Sequence, residues 1–152
     1  MTEHRGLMTG KRGLIMGVAN DRSIAWGIAK ACADQGAELA FTYQGEALEK
    51  RVRPLATSVN AKHVLPCDVT DDASVDAVFK TLEAAWKTLD FVVHAIAFSD
   101  KDELKGLYVD TTRKNFTQTM DISCFSFTAV CARARALMQN GGSQLTLSYF
   151  GA

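Results

Sequence analysis

Gly13-Leu14-Ile15-Met16-Gly17-Val18-Ala19-Asn20-Asp21-Arg22-Ser23-Ile24-Ala25-Trp26-Gly27-Ile28-Ala29 is the stretch that decides the fold of this chain. It reads as a short apolar strand, a glycine turn and the first turns of a helix. Gly17 has no Cβ, so the backbone there can approach a phosphate or a ribose closely. The helix that follows offers unpaired N–H groups and the positive end of its dipole, which is what a pyrophosphate requires. Ser23 is well suited to cap that helix, which runs to about Asp34 and stops at Gly36. Ile24 and Ile28 are four residues apart on one face.

Outward from this unit the same alternation repeats. Glu38 to Tyr43 is apolar and β-prone and predicts a second strand. Glu46 to Ser58 predicts a helix whose stripe is Leu48, Val52, Leu55 and Val59, with Pro54 either kinking it or setting off its first turn. His63 to Cys67 predicts a third strand. Thr70 or Asp71 can cap a third helix, whose stripe is Val75, Val78, Phe79, Leu82 and Trp86. Leu89 to Ile96 predicts a fourth strand, and Ser99 to Asp110 a polar loop. A long helix is expected over Thr112 to Met138, apolar on most sides from Ile122 and so buried against several neighbours. Gln144 to Ser148 predicts a fifth strand. Residues 1–10 are expected to be a flexible tail and 11–152 a dinucleotide-binding domain.

Strands that alternate with helices of this length pair in parallel through right-handed crossovers. Their continuous apolar runs fit a sheet covered on both faces. The fold class is therefore α/β: a doubly wound, Rossmann-like parallel sheet whose ligand lies beyond the carboxyl ends of the strands. The fifth strand is expected to be left as an edge, the fold being truncated after it.

Seventeen basic residues balance seventeen acidic ones, so charge gives no reason to expect nucleic acid or an anionic membrane as partner. No apolar run reaches membrane-spanning length, and Met1 to Gly10 lacks the pattern of a signal peptide; the expected compartment is the cytoplasm. Cys32, Cys67, Cys124 and Cys131 each sit in apolar sequence, with no Cys-x-x-Cys pair and no paired histidines. They are expected to be small buried hydrophobes, and no metal site is expected. His94, at a strand end, is expected to be a satisfied structural histidine. Lys50, Arg51 and Arg53 are expected to form a solvated helix face. Asp121 is either a site residue or an exposed helix acid.

The glycine turn matches neither Gly-x-Gly-x-x-Gly nor the Gly-x-x-x-Gly-x-Gly of ordinary short-chain dehydrogenases. In their place stands Gly17-Val-Ala-Asn-Asp-Arg-Ser23-Ile-Ala-Trp-Gly27. This wording resembles the bacterial enoyl-acyl-carrier-protein reductases of type II fatty-acid synthesis, a divergent branch of the short-chain dehydrogenases. Phe41-Thr42-Tyr43-Gln44, Cys67-Asp68-Val69, His94-Ala95-Ile96-Ala97-Phe98, Asp121-Ile122-Ser123 and Leu145 to Ala152 extend the resemblance in order along almost the whole chain.

The resemblance implies hydride transfer from NADH to the β-carbon of a 2-enoyl thioester carried by acyl-carrier protein, in a homotetramer. It implies that Gly17, Ser23 and Ile24 hold the pyrophosphate and adjoining ribose, that Gln44 meets the adenosine ribose, and that Asp68 and Val69 border the adenine. Asp68 could equally cap the turn that follows it. Ile96 would pass under the cofactor near the nicotinamide ribose, and Ser99 would meet substrate. Gln44 carries no charge to repel a 2′-phosphate, and neighbouring Gly45-Glu46 supplies no arginine to welcome one; the resemblance favours NADH over NADPH. Tyr149 matches the family's upstream tyrosine at the reacting centre, its alternative role being a packing aromatic. The family's principal tyrosine and its lysine would fall after Ala152. The chain is thus expected to be the amino-terminal part of a longer enzyme, inactive alone. A non-catalytic nucleotide-binding short form and another short-chain dehydrogenase are the alternatives.

Overall fold

A computed structural model describes residues 6–150; the Met1 to Arg5 part of the expected tail and the final Gly151-Ala152 lie outside the described residues. Five strands form one sheet: β1 (Arg12–Met16), β2 (Glu38–Tyr43), β3 (His63–Pro66), β4 (Phe91–His94) and β5 (Ser143–Thr146). Their spatial order is β3-β2-β1-β4-β5, and every pair is parallel. The chain order reverses between β1 and β4, where Met16 stands beside His94. This is the doubly wound arrangement, and its switch point lies just past those two residues.

Side chains alternate across the sheet, and each face has its own core. Leu14, Met16, Ala40 and Val92 point to one side, against Val75, Val78, Leu82 and Trp86 of α3 (Asp72–Trp86) and Val130, Ala134 and Leu137 of α5 (Ser126–Leu137). Ile15, Leu39, Phe41 and Val93 point to the other. They meet Ala25, Trp26 and Ala29 of α1 (Ile24–Asp34) and Val52 and Ala56 of α2 (Glu46–Ser58). Leu14, Ile15 and Phe41 are fully buried, as a strand covered on both faces requires.

Several expectations are corrected. From Gly6 onward the supposed tail is folded back, with Met8 N–H donating to the Gln35 carbonyl and Leu7 N–H to Gln35 Oε1. α2 runs unbroken through Pro54, which only removes one backbone donor. Asp71, rather than Thr70, caps α3 by accepting from Ala73 N–H. The stripe of α3 is buried as its spacing predicts. The third, fourth and fifth strands are each shorter than their apolar runs.

The long helix is not uniform. It consists of α4 (Arg113–Met120), one wide π turn over Asp121–Phe125, and α5. Nor is it buried on most sides from Ile122 onward, since Phe125 is exposed and the described residues set no element against that face, where Phe116 and Met120 of α4 are exposed as well. Cys124 is exposed there too, whereas Cys67 is buried and Cys32 and Cys131 are partly so. The loop before α4 contains a 3-10 turn at Tyr108–Asp110.

Candidate functional site

Four strand ends converge on one cleft of about 250 Å³ at the switch point. Gly17, Val18 and Ala19 continue β1, Thr42 to Gln44 end β2, Cys67 to Thr70 follow β3, and Ala95 to Phe98 follow β4. Leu48 and Ile122 complete the wall. The structure therefore brings Gly17, Gln44, Asp68, Val69 and Ile96 together, although the first and the last stand 79 positions apart in the chain.

Gly17 is held by necessity. Its φ is +100°, and a Cβ there would lie 2.0 Å from the Ala95 carbonyl oxygen. Ala95 N–H donates to the Met16 carbonyl at 2.9 Å, which locks the two strand tips together at that approach.

Ser23 does not cap α1 with its side chain. Its Oγ faces back into the loop and accepts from Ala19 N–H at 2.9 Å and Asn20 N–H at 3.0 Å. Accepting two amides leaves the hydroxyl proton free to donate. Asn20 supports the same loop by accepting from Arg22 N–H. Ser23 and Ile24 do not line the cleft. Ile24, expected beside Ile28 on one face, is 68 % exposed because the buried face of α1 is Ala25, Trp26 and Ala29.

Asp68 serves the turn through one oxygen. Its Oδ1 accepts from both the Thr70 hydroxyl, at 2.7 Å, and the Thr70 N–H, at 2.9 Å. These bonds, with a smaller contribution from the Gln44 side chain, hold its carboxyl below the usual carboxylate range. Both turn bonds fall on Oδ1, so the capping reading of Asp68 does not consume Oδ2. Cys67 also lines the cleft. Burial, then the neighbouring Asp68 charge, pushes its thiol up to about 11, where it is an unreactive protonated thiol.

His94 closes the floor between β4, β5 and the π turn. Ser126 Oγ donates its single proton to the Ile122 carbonyl at 2.6 Å. It must therefore accept from His94 Nε2, 2.7 Å away. That leaves Nδ1 to accept from Thr146 Oγ1 at 3.1 Å. His94 is thus a satisfied, neutral, fully buried histidine, and burial pushes its pKa down.

A second, more open cleft of about 690 Å³ adjoins the first and shares Ala97 and Phe98 with it. Ser99 and Tyr149 both line it. Tyr149 stands three residues past the end of β5 and is 91 % exposed. Leu104, Leu107, Phe116 and Met120 make the wall mainly apolar. Asn115 is its buried hub: Oδ1 accepts from Asp100 N–H at 2.9 Å and Nδ2 donates to Ser99 Oγ at 3.2 Å. Ser123, on the π turn, clasps the backbone of Phe98 by accepting its N–H and donating to its carbonyl. Neither residue is anticipated by the sequence reading. The available signal for Asn115 is a poor helix former placed in a first helical turn behind Thr112, which caps it. Asp121 is half-buried at the head of the π turn.

The walls suit a dinucleotide. The apolar sides of Val18, Leu48, Val69 and Ile96 fit a flat heteroaromatic ring, polar groups sit at the edge, and Gly17 lines the cleft where β1 ends. Among the described residues no group of three or more His, Cys, Asp or Glu side chains could hold a metal ion.

A family described as Enoyl-(Acyl carrier protein) reductase matches residues 17–152. Two Rhizobium meliloti proteins named Enoyl-[acyl-carrier-protein] reductase [NADH] 2 and 1 are 69 % and 65 % identical over 96 % and 100 % of this chain. The chain covers 54 % and 56 % of their lengths, about half of each relative. Among solved structures, FabI from Candidatus Liberibacter asiaticus superposes with a TM-score of 0.94 at 57 % identity, over 96 % of this chain and 57 % of that one. The Anaplasma phagocytophilum reductase in complex with NAD gives a TM-score of 0.93 at 61 % identity, over 96 % and 56 %. The Bacillus cereus reductase with NADP+ and an indole naphthyridinone gives 0.92 at 49 % identity, over 96 % and 58 %. With its doubly wound sheet, its switch-point cleft and these likenesses, the chain belongs to the enoyl-(acyl carrier protein) reductase family.

Proposed function

We propose that this chain supplies the nucleotide-binding portion of an NADH-dependent enoyl-acyl-carrier-protein reductase. The observation that carries the reading is the convergence of Gly17, Gln44, Asp68, Val69 and Ile96 on one cleft. When bound, a nicotinamide dinucleotide supplies the hydride that reduces the 2,3 double bond of a 2-enoyl thioester.

The chain's own residues bind and orient. Gly17 and the loop that Ser23 closes would hold the pyrophosphate, helped by the dipole of α1. Asp68 would accept from the adenine amine through the oxygen left free by its turn, with Val69 bordering the ring. Gln44 would bond the adenosine ribose, and Ile96 would meet the nicotinamide end. Ser99 and the apolar wall of the adjoining cleft receive the acyl thioester. Tyr149, which lines the adjoining cleft, would offer its hydroxyl to the thioester oxygen, where negative charge develops. The family resemblance implies that a further tyrosine and a lysine, supplied by a longer chain, complete the site. It also implies acyl-carrier protein as the substrate's carrier and a homotetramer.

The test has two parts. The 152-residue chain is expected to bind NADH, seen as enhanced nicotinamide fluorescence, and not to oxidise it when a crotonyl thioester is added. Failure to bind NADH while folded would overturn the cleft assignment. Turnover by the chain alone would overturn the placement of essential chemistry beyond Ala152.

A further inference from the structure

Two turns into α2, Arg53 comes back to the tip of β2. Its guanidinium carbon stands 5.8 Å from the centre of the Tyr43 ring. Tyr43 and the following Gln44 both line the cleft. The sequence neighbours of Gln44 offer no arginine, but the helix delivers one.

That arginine is already engaged. Its Nε donates to Glu49 Oε1 at 2.7 Å, and Nη2 donates to the same oxygen. Glu49 is the more sheltered partner, its side chain 29 % exposed against 53 % for Arg53. The Glu49 carboxylate also lies close enough to the Tyr43 hydroxyl that, after burial itself, it is the main influence raising that phenol's pKa. The other cations of α2 do not substitute. Lys50 is held by Glu46 at 2.7 Å, and Arg51 projects about 200° around the helix from Glu49 at roughly 100° per residue. The Asp68 carboxylate lines the same cleft.

We infer that Glu49 sets the choice between an unmodified and a 2′-phosphorylated adenosine ribose in this cleft. This rests on the assignment of the cleft to a dinucleotide. A 2′-phosphate entering beside Gln44 would meet the Asp68 carboxylate in the cleft and, beside Tyr43, a guanidinium fork already held by Glu49. Arg53 could bind it bidentately, but only by releasing Glu49. An unmodified ribose makes no such demand. The Tyr43 ring keeps Arg53 at this position through its attraction for a cation, so neutralising Glu49 frees the fork without sending it away. Glu49 thus acts through Arg53, as a specificity-determining residue outside the cleft wall.

The experiment titrates NAD+ and NADP+ against the 152-residue chain by calorimetry, for the unaltered protein, Glu49→Gln and the double variant Glu49→Gln with Arg53→Gln. Adenosine 5′-monophosphate and adenosine 2′,5′-bisphosphate serve as probes of the same contrast without the nicotinamide. Circular dichroism confirms that each variant is folded. The expected result is an affinity ratio of NADP+ to NAD+ that rises about tenfold in Glu49→Gln and falls back to the original value in the double variant. An unchanged ratio in Glu49→Gln, or a gain that survives loss of Arg53, overturns the inference. If NAD+ binds and the ratio stays fixed, only this inference fails. If neither nucleotide binds the folded, unaltered chain, the dinucleotide assignment fails and takes this inference with it.

Discussion

Replacing Gly17 by Ala adds one methyl group at the point where the two halves of the sheet meet. The site offers neither the backbone nor the space. At φ +100° a residue with a Cβ carries about 1–2 kcal/mol of backbone strain. The added carbon would lie 2.0 Å from the Ala95 carbonyl oxygen and 2.5 Å from its carbon, both backbone atoms that no rotamer change can move. Relief needs the tips of β1 and β4 to part by about 1 Å, against the Ala95 to Met16 hydrogen bond, an overpacking cost of about 1–3 kcal/mol. A total near 3 kcal/mol lowers the melting temperature by about 6–12 °C for a chain of this size. NADH affinity should fall at least about tenfold, because the same displacement reshapes the cleft. The control is Gly27→Ala, the identical chemical change in the exposed interior of α1, where nothing lies within 4 Å of the added carbon. There the helix should gain about 0.5–1 kcal/mol. Both are read by thermal melts and NADH titration. If Gly17→Ala melts within about 1 °C of the original, or if Gly27→Ala is equally damaging, the argument from close approach is wrong.

Two further outcomes follow from hydrogen bonds at the cleft floor and rim. Ser126→Ala removes the acceptor of the fully buried His94 Nε2 and should cost about 1–3 kcal/mol by denaturant unfolding. Thr146→Val should cost less, since Thr146 is exposed and water can replace its hydroxyl at Nδ1; the opposite ranking would refute the proposed bond directions. Asp68 has a folded pKa below its ordinary 3.8. Its contribution to stability is therefore complete above 3.8 and lost as pH falls through the lower folded value. Urea midpoints measured down that range should drop more steeply for the original chain than for Asp68→Asn, and coincident curves would show that the Thr70 bonds contribute nothing.

The alternation of strand and helix was legible because each element carries its own period or apolar run. Val75, Val78, Phe79, Leu82 and Trp86 declare the face of α3 without help from the rest of the chain. The cleft was legible in outline for a different reason: in a doubly wound sheet, residues just past each strand end must gather at the switch point. What escaped was anything decided by two distant segments at once. Ser23 has the residue type of a cap, and only the closure of its loop shows the hydroxyl turned toward Ala19 and Asn20. Arg53 does lie on an exposed helix face, as expected, but its position over Tyr43 escaped because it depends on how α2 lies against β2. Cys124 and Phe125 are apolar in sequence yet exposed, since local composition cannot show that the described fold sets nothing against them.

The π turn has a consequence for how this molecule tolerates change in length. A helix that accommodates one additional residue in a wide turn acts as a phase shifter: everything after it is rotated by roughly 100° relative to a regular helix. Here the shift lets Ser123 reach Phe98 while Ser126, three residues on, reaches His94. Deleting a single residue within Asp121–Phe125 would restore an ordinary helix with better local hydrogen bonding. It would also turn α4 by about a quarter of a revolution against α5, carrying Asn115 away from Ser99 and Asp100. Helical propensity and the two clefts therefore pull in opposite directions at this turn, and the register of one residue couples their geometry.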